Sequence, residues 1–173
     1  MADHEVAACD VAHGTAGPTT EQRTLVAVFA SPVAEHLLRY GRDLGYRPVL
    51  LEPDPARAAA DTSGMTVVTS IDAAGPDGAT DVVVTDHHRG ELGVMLRDVL
   101  ASPVRWIGLM GNPRHTGPHR AALAELGVPE PEIARVNRPI GLNIGSRTPA
   151  EIAIATLAGL LADRNDRPGG FTF

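Results

Sequence analysis

The chain has 173 residues, 43% of them hydrophobic, and a formal net charge of −6. That is enough apolar content for one core and too little length for two full domains, and the acidic balance excludes the general electrostatic footprint of a nucleic-acid binder or of a protein drawn to acidic membranes. No apolar run approaches the roughly 20 residues that span a bilayer, and the N-terminus lacks the charged-then-apolar layout of a secretory leader, so the sequence predicts a cytoplasmic protein.

Residues 1–23 carry Gly14, Gly17 and Pro18 without a sustained hydrophobic period and read as a tail. The single cysteine, Cys9, falls there; it has no partner for a disulfide and no structured base beside it. From residue 24 to 167 short apolar runs alternate with helical patterns. The strand candidates are Leu25–Ala30, Arg47–Leu51, Thr66–Thr69, Asp81–Thr85 and Arg105–Leu109; the helix candidates are Pro32–Leu44, Glu91–Leu100, His115–Leu126 and Pro149–Arg164. This rhythm predicts an α/β fold: a doubly wound, Rossmann-like parallel sheet in three layers with right-handed crossovers and strand order 3-2-1-4-5. Residues 168–173 form a short C-terminal tail whose Phe171 and Phe173 would dock on the body or on a second subunit, the basis for expecting a homodimer.

Ligands of such sheets sit at the carboxyl ends of the strands, where the strand order reverses. Four polar segments converge there: Ala30-Ser-Pro-Val33 after the first strand, Thr85-Asp-His-His88 after the fourth, Gly108 to Arg114 around the fifth, and the loop Gly141 to Thr148. In the last, Thr148 is an N-cap candidate, Pro149 fits the first helical position and Glu151 completes a capping box. The positive end of that helix faces the loop containing Gly145, so either an anion sits there with Arg147 beside it or the segment is an ordinary capped helix after a turn.

The other segments carry their own alternatives. The first turn reads Phe29-Ala-Ser-Pro-Val-Ala34 where a dinucleotide fingerprint needs Gly-x-Gly-x-x-Gly, which disfavours tight NAD(P) binding; Ser31 still offers a hydroxyl for a phosphate. Glu52, about twenty residues beyond the turn, is placed to hold a ribose or is a solvated strand-end acid. Asp86 fixes an imidazole tautomer, binds a ribose hydroxyl or caps the next turn. His87 and His88, adjacent in an extended stretch, point to opposite sides and leave one imidazole in the crevice. Gly108 and Gly111 permit close backbone approach, and Arg114 offers a planar fork for phosphate. His115 and His119, four apart but interrupted by Gly117 and Pro118, read as surface imidazoles, and no metal site is expected.

Two runs then carry a family resemblance: Trp106-Ile-Gly-Leu-Met-Gly-Asn-Pro-Arg-His115 and Pro139-Ile-Gly-Leu-Asn-Ile-Gly-Ser-Arg-Thr-Pro-Ala-Glu-Ile-Ala153. They resemble the C-terminal Rossmann domain of the XdhC/CoxI proteins, accessory factors that mature molybdenum hydroxylases. The likeness spans roughly Leu25 to Arg164. In that family the first turn commonly reads Gly-Ala-Gly-His-Val and the fourth strand ends Thr-His-Asp; here the glycines are absent and Thr85-Asp86-His87 exchanges the acid and the imidazole.

The resemblance implies an accessory or binding protein rather than an independent enzyme. Its ligand would be a small phosphate-bearing one, either a molybdopterin-type cofactor or NAD(P). Its partners would be a molybdenum hydroxylase subunit and a separate protein supplying the family's N-terminal domain. The expected cofactor-binding set is Ser31, Glu52, Thr85, Asp86, His87, Gly108, Gly111, Arg114, Gly145, Arg147 and Thr148. The competing readings are a small NAD(P)-dependent oxidoreductase and a docking module with a vestigial crevice.

Overall fold

The computed structural model describes residues 12–14, 22–58, 65–112 and 114–170. Six parallel strands form one sheet in the order β3-β2-β1-β4-β5-β6: β1 (Arg23–Val28), β2 (Tyr46–Leu51), β3 (Thr66–Val68), β4 (Thr80–Val84), β5 (Trp106–Leu109) and β6 (Val136–Asn137). The order reverses at β1, which pairs with β2 on one side and β4 on the other. Five strands match the sequence expectation to within a residue or two. The sixth was not expected, because two residues pairing with Ile107 and Gly108 are too short to show a period.

The helices are α1 (Pro32–Asp43), α2 (Leu92–Leu100), α3 (His119–Glu125), α4 (Glu130–Ile133) and α5 (Pro149–Arg164). The expected third helix begins four residues late, at His119. Gly117 and Pro118 precede it, and the backbone of Gly117 lies where a Cβ would meet the His119 ring. Two-residue alternation sorts β1 between two cores. Leu25 and Ala27 pack with Leu37, Leu38, Leu157 and Leu160 of α1 and α5, whereas Val26 and Val28 pack with Leu92, Leu96, Val99 and Leu123 of α2 and α3. Both faces of the sheet are thereby covered, as a parallel sheet requires.

Pro48 sits inside β2 without breaking it, because β3 joins only at Val49 and leaves that part of the strand without a neighbour on one side. At the amino ends of the strands a buried carboxylate fastens the layers. Asp81 accepts from Arg105 Nε (2.6 Å), from Arg164 Nε (2.9 Å) and from the Tyr46 hydroxyl (3.3 Å), tying β4 to β5, α5 and β2. The residue-1–23 tail and Cys9 lie largely outside the described residues, with Arg23 already in β1; Phe171 and Phe173 lie outside them entirely.

Phe29, the residue after β1, has φ of +73° and no solvent exposure. An L side chain in that region costs about 1–2 kcal/mol, and the cost is met by burial of the ring and by the Phe29 N–H bond to the Leu51 carbonyl (2.9 Å). The turn that glycine usually makes is therefore kept with a phenylalanine in it. Phe29→Ala should destabilise the fold by about 3–5 kcal/mol, and Phe29→Gly should cost about 1 kcal/mol less than Phe29→Ala because glycine accepts the positive φ freely. Urea unfolding of the three proteins checks the order; an alanine variant at least as stable as the glycine variant would remove the strain argument.

Candidate functional site

The turns after β1, β4 and β5 and the loop before α5 meet at one rim, around a cavity of about 540 Å³. Val33 of α1, Thr85 and His87 after β4, Met110, Gly111 and Asn112 after β5, the Leu142–Ser146 loop, and Ile152, Ala155 and Thr156 of α5 line it, with Ile140 at its base. A second cavity of about 580 Å³ shares Gly111, Asn112, Ile140, Leu142 and Asn143 and adds Arg114, Pro139 and Gly141. The loop is fixed by a close crossing: the Gly141 backbone, at φ of +84°, lies against Ala155 and Gly159 of α5, and Leu142 N–H donates to the Ala155 carbonyl. A side chain at either glycine would push the loop off the helix.

Several expected ligand groups are engaged by the protein itself. Ser31 caps α1, accepting from Ala34 N–H (3.0 Å), and donates to Thr85 Oγ1 (2.9 Å); Thr85 in turn donates to the Phe29 carbonyl (2.9 Å). These two hydroxyls lace β1 to β4 at the cavity floor. Glu52, read as a ribose holder or a solvated acid, is neither exposed nor open: it accepts from Ala30 N–H (2.9 Å) and lies in a two-pronged pair with Arg89. A Cβ at Gly108 would overlap the Trp106 indole, and one at Gly111 would meet the Arg138 guanidinium, so the room those glycines provide is filled by side chains of this chain. Arg138 also donates to the carbonyls of His115 and Asn112, which shapes the turn after β5.

The capping box at α5 is present, with Thr148 Oγ1 accepting from Glu151 N–H (3.3 Å). The Glu151 carboxylate accepts from both Arg147 N–H (2.6 Å) and Thr148 N–H (3.1 Å), and these bonds lower its pKa. The anion at this helix start is thus the chain's own. Gly145, with φ of +70°, lines the cavity, whereas the Arg147 guanidinium does not. Among the described residues neither Arg114 nor Arg147 is held in an ion pair, and Arg114 faces the second cavity.

Asp86 accepts from His88 N–H (2.9 Å), capping the turn it opens. That turn overturns the expectation of opposed histidines. His87 and His88 are not extended; their ring centroids lie 4.1 Å apart. His87 reaches the cavity, and its pKa is lowered by burial first, then by His88 and Arg138, so it is a neutral imidazole at pH 7. His119, read as a surface imidazole, is only 5% exposed; burial and the nearby Arg138 and Arg120 lower its pKa as well. No group of three His, Cys, Asp or Glu is placed to hold a metal among the described residues, and no helix among them is long and apolar enough to cross a membrane.

Sequence reasoning brought the segments holding Met110, Leu142, Asn143, Ile144 and Ser146 to the rim without naming those residues as its walls, and it missed Ile140, Thr156 and the two arginines that shape the surroundings, Arg89 and Arg138. A signal for Arg89 existed. Glu52 stands at a strand end, and an acid buried there needs a cation.

This architecture belongs to a class, the doubly wound, Rossmann-like parallel sheets with a crevice at the strand-order reversal. Within it, residues 25–160 match the XdhC Rossmann domain, and the chain belongs to that family. It is 43% identical over 75 residues to the uncharacterized protein YqeB of Escherichia coli (strain K12), a stretch that is 43% of this chain and 14% of that protein. A Bacillus halodurans protein whose crystal structure carries the name xanthine dehydrogenase shares the fold with a TM-score of 0.66 at 20% identity, over 85% of this chain and 46% of that one. The chain therefore spans less than half the length of either relative.

The two lowered imidazoles fix a pH dependence. As pH falls through 6.5, the ordinary histidine value, the unfolded chain takes up protons that folded His87 and His119 refuse. Stability is accordingly full above that value and declines below it, down to the folded pKa values. Urea unfolding at about pH 7 and about pH 5 should show the loss, and a His87→Asn, His119→Asn double variant should lose less across the same interval. An equal loss in both proteins would assign the effect to other groups.

Proposed function

We propose that this chain is the Rossmann domain of an accessory factor for xanthine dehydrogenase-related systems, and that it carries a small phosphate-bearing ligand, a nucleotide or a molybdopterin-type cofactor, as cargo for a molybdenum hydroxylase. The observation that carries this reading is the coincidence of the family match with the cavity: the matched residues 25–160 include every loop that lines it. The donor set suits a flat heterocycle. Val33, Met110, Ile140 and Ile144 offer apolar walls, while His87, Asn112 and Ser146 offer neutral hydrogen-bonding edges. A phosphate would reach through the shared Gly111 and Asn112 wall toward Arg114.

In this reading the chain makes and breaks no bond in its cargo. His87 stays neutral and exchanges hydrogen bonds with the ring, and the Gly141–Ser146 loop excludes water from one face. Handover to a partner is favoured by Ile144 at the cavity mouth and Ile154 on the adjoining helix, exposed at 55% and 52%. A small oxidoreductase is less well supported, because the first turn lacks its glycines.

Mass spectrometry of small molecules released from freshly purified protein should yield a phosphorylated pterin or nucleotide. Arg114→Ala should weaken its rebinding about tenfold or more, the scale of a lost charged hydrogen bond, and leave the thermal midpoint in place. An empty protein that binds neither class at millimolar concentration would leave only the docking role.

A further inference from the structure

On a sheet with this strand order a dinucleotide straddles the reversal: one nucleotide lies over β4 and β5, and the adenosine half lies over β1 and β2, its ribose held by an acid ending β2. The two halves differ sharply in this chain. Over β4 and β5 lies the open cavity. Over β1 and β2 the described residues bond to one another.

Glu52 follows β2 directly and has no exposure at all. Its Oε2 accepts from Ala30 N–H (2.9 Å) and from Arg89 (3.3 Å); its Oε1 accepts from Asp54 N–H (3.1 Å) and from Arg89 (2.8 Å). Both oxygens are doubly engaged, which exhausts the carboxylate and leaves no acceptor for a ribose diol. The Arg89 side chain is 13% exposed and lies 4.7 Å from the centre of the Phe29 ring. Its Nε lies 3.7 Å from the Glu91 carboxylate, which Arg57 holds at 3.0 Å. The place of the first fingerprint glycine is thus taken by an aromatic platform, and a guanidinium sits on that platform against the acid.

We infer that Phe29, Glu52 and Arg89 form a built-in plug over the adenosine-ribose half of the crevice, so that the site takes a ligand of one nucleotide or one pterin and rejects a dinucleotide. This rests on the reading of the open half as a ligand site. A dinucleotide would have to break a buried, two-pronged ion pair and strand its partners, for which two ribose hydroxyl bonds return far less. The open half demands no such exchange.

Calorimetric titration of the full chain with nicotinamide mononucleotide, AMP and NAD tests this. The unaltered protein should bind NAD no more tightly than nicotinamide mononucleotide, and once saturated with the mononucleotide it should give no heat with AMP. Arg89→Ala should gain at least tenfold in affinity for AMP, with a thermal melt confirming that it folds. Where that variant does not fold, Arg89→Ser combined with Glu52→Gln leaves no buried charge and serves in its place. NAD binding tenfold or more tighter than the mononucleotide in the unaltered protein, or AMP binding to it beside saturating mononucleotide, overturns the plug, and that arm needs no variant. No AMP gain in a folded variant overturns it too. Failure of both the mononucleotide and a phosphorylated pterin to bind the unaltered protein would remove the functional reading of the open half, while the AMP arm still decides the plug.

Discussion

The reversal of strand order at β1 is the constraint on which the site depends. Because β1 hydrogen-bonds to β2 on one side and β4 on the other, the connections leaving β1 and β4 diverge to opposite faces and part at the rim. Parallel pairing puts the carboxyl end of every strand at that same rim, so loops far apart in sequence become neighbours without contacting one another in the chain. The Asp81 cluster fastens the opposite, amino end, where Arg105, just before β5, and Arg164 of α5 reach one carboxylate. One end of the sheet is closed by charge pairing and the other is left to its loops.

The fold was legible because its signals are periodic and local. Val82, Val83 and Val84 are buried on both faces and read as an unbroken apolar run, and the Thr148-Pro149-Ala150-Glu151 cap fixed the start of α5 at the right residue. What escaped was short or non-local. The Val136–Asn137 strand exists only because β5 is there to receive it, and the His87-His88 geometry depends on the Asp86 side chain turning the backbone. The rim was read from its polar and glycine residues, yet their partners were not predictable, since Arg138 reaches Gly111 across 27 positions and Arg89 reaches Glu52 across 37.

That failure has one physical pattern. Features that suit a ligand, such as a glycine's free space, a helix's positive end or an acid at a strand terminus, suit a side chain of the same protein equally well. Here Trp106 fills the room at Gly108, Arg138 that at Gly111, Glu151 occupies the start of α5, and Arg89 satisfies Glu52. The part of the rim that stays open lies between these engaged groups: His87 and Asn112 on one side, and the loop that Gly141 holds against α5 on the other.

The Glu52–Arg89 pair is better understood as a shaping device than as a source of stability. A buried ion pair repays little more than the desolvation of its two charges, and an apolar pair of similar volume would hold the layers as well. Apolar residues would not, however, receive Ala30 N–H, the backbone donor that the unusual conformation of Phe29 turns toward β2. The carboxylate takes that donor and Asp54 N–H together, and the guanidinium neutralises the carboxylate. Each step requires the one before it: a non-glycine residue in the first turn fixes a donor, the donor needs an acid, the acid needs a cation, and the cation covers half of the crevice.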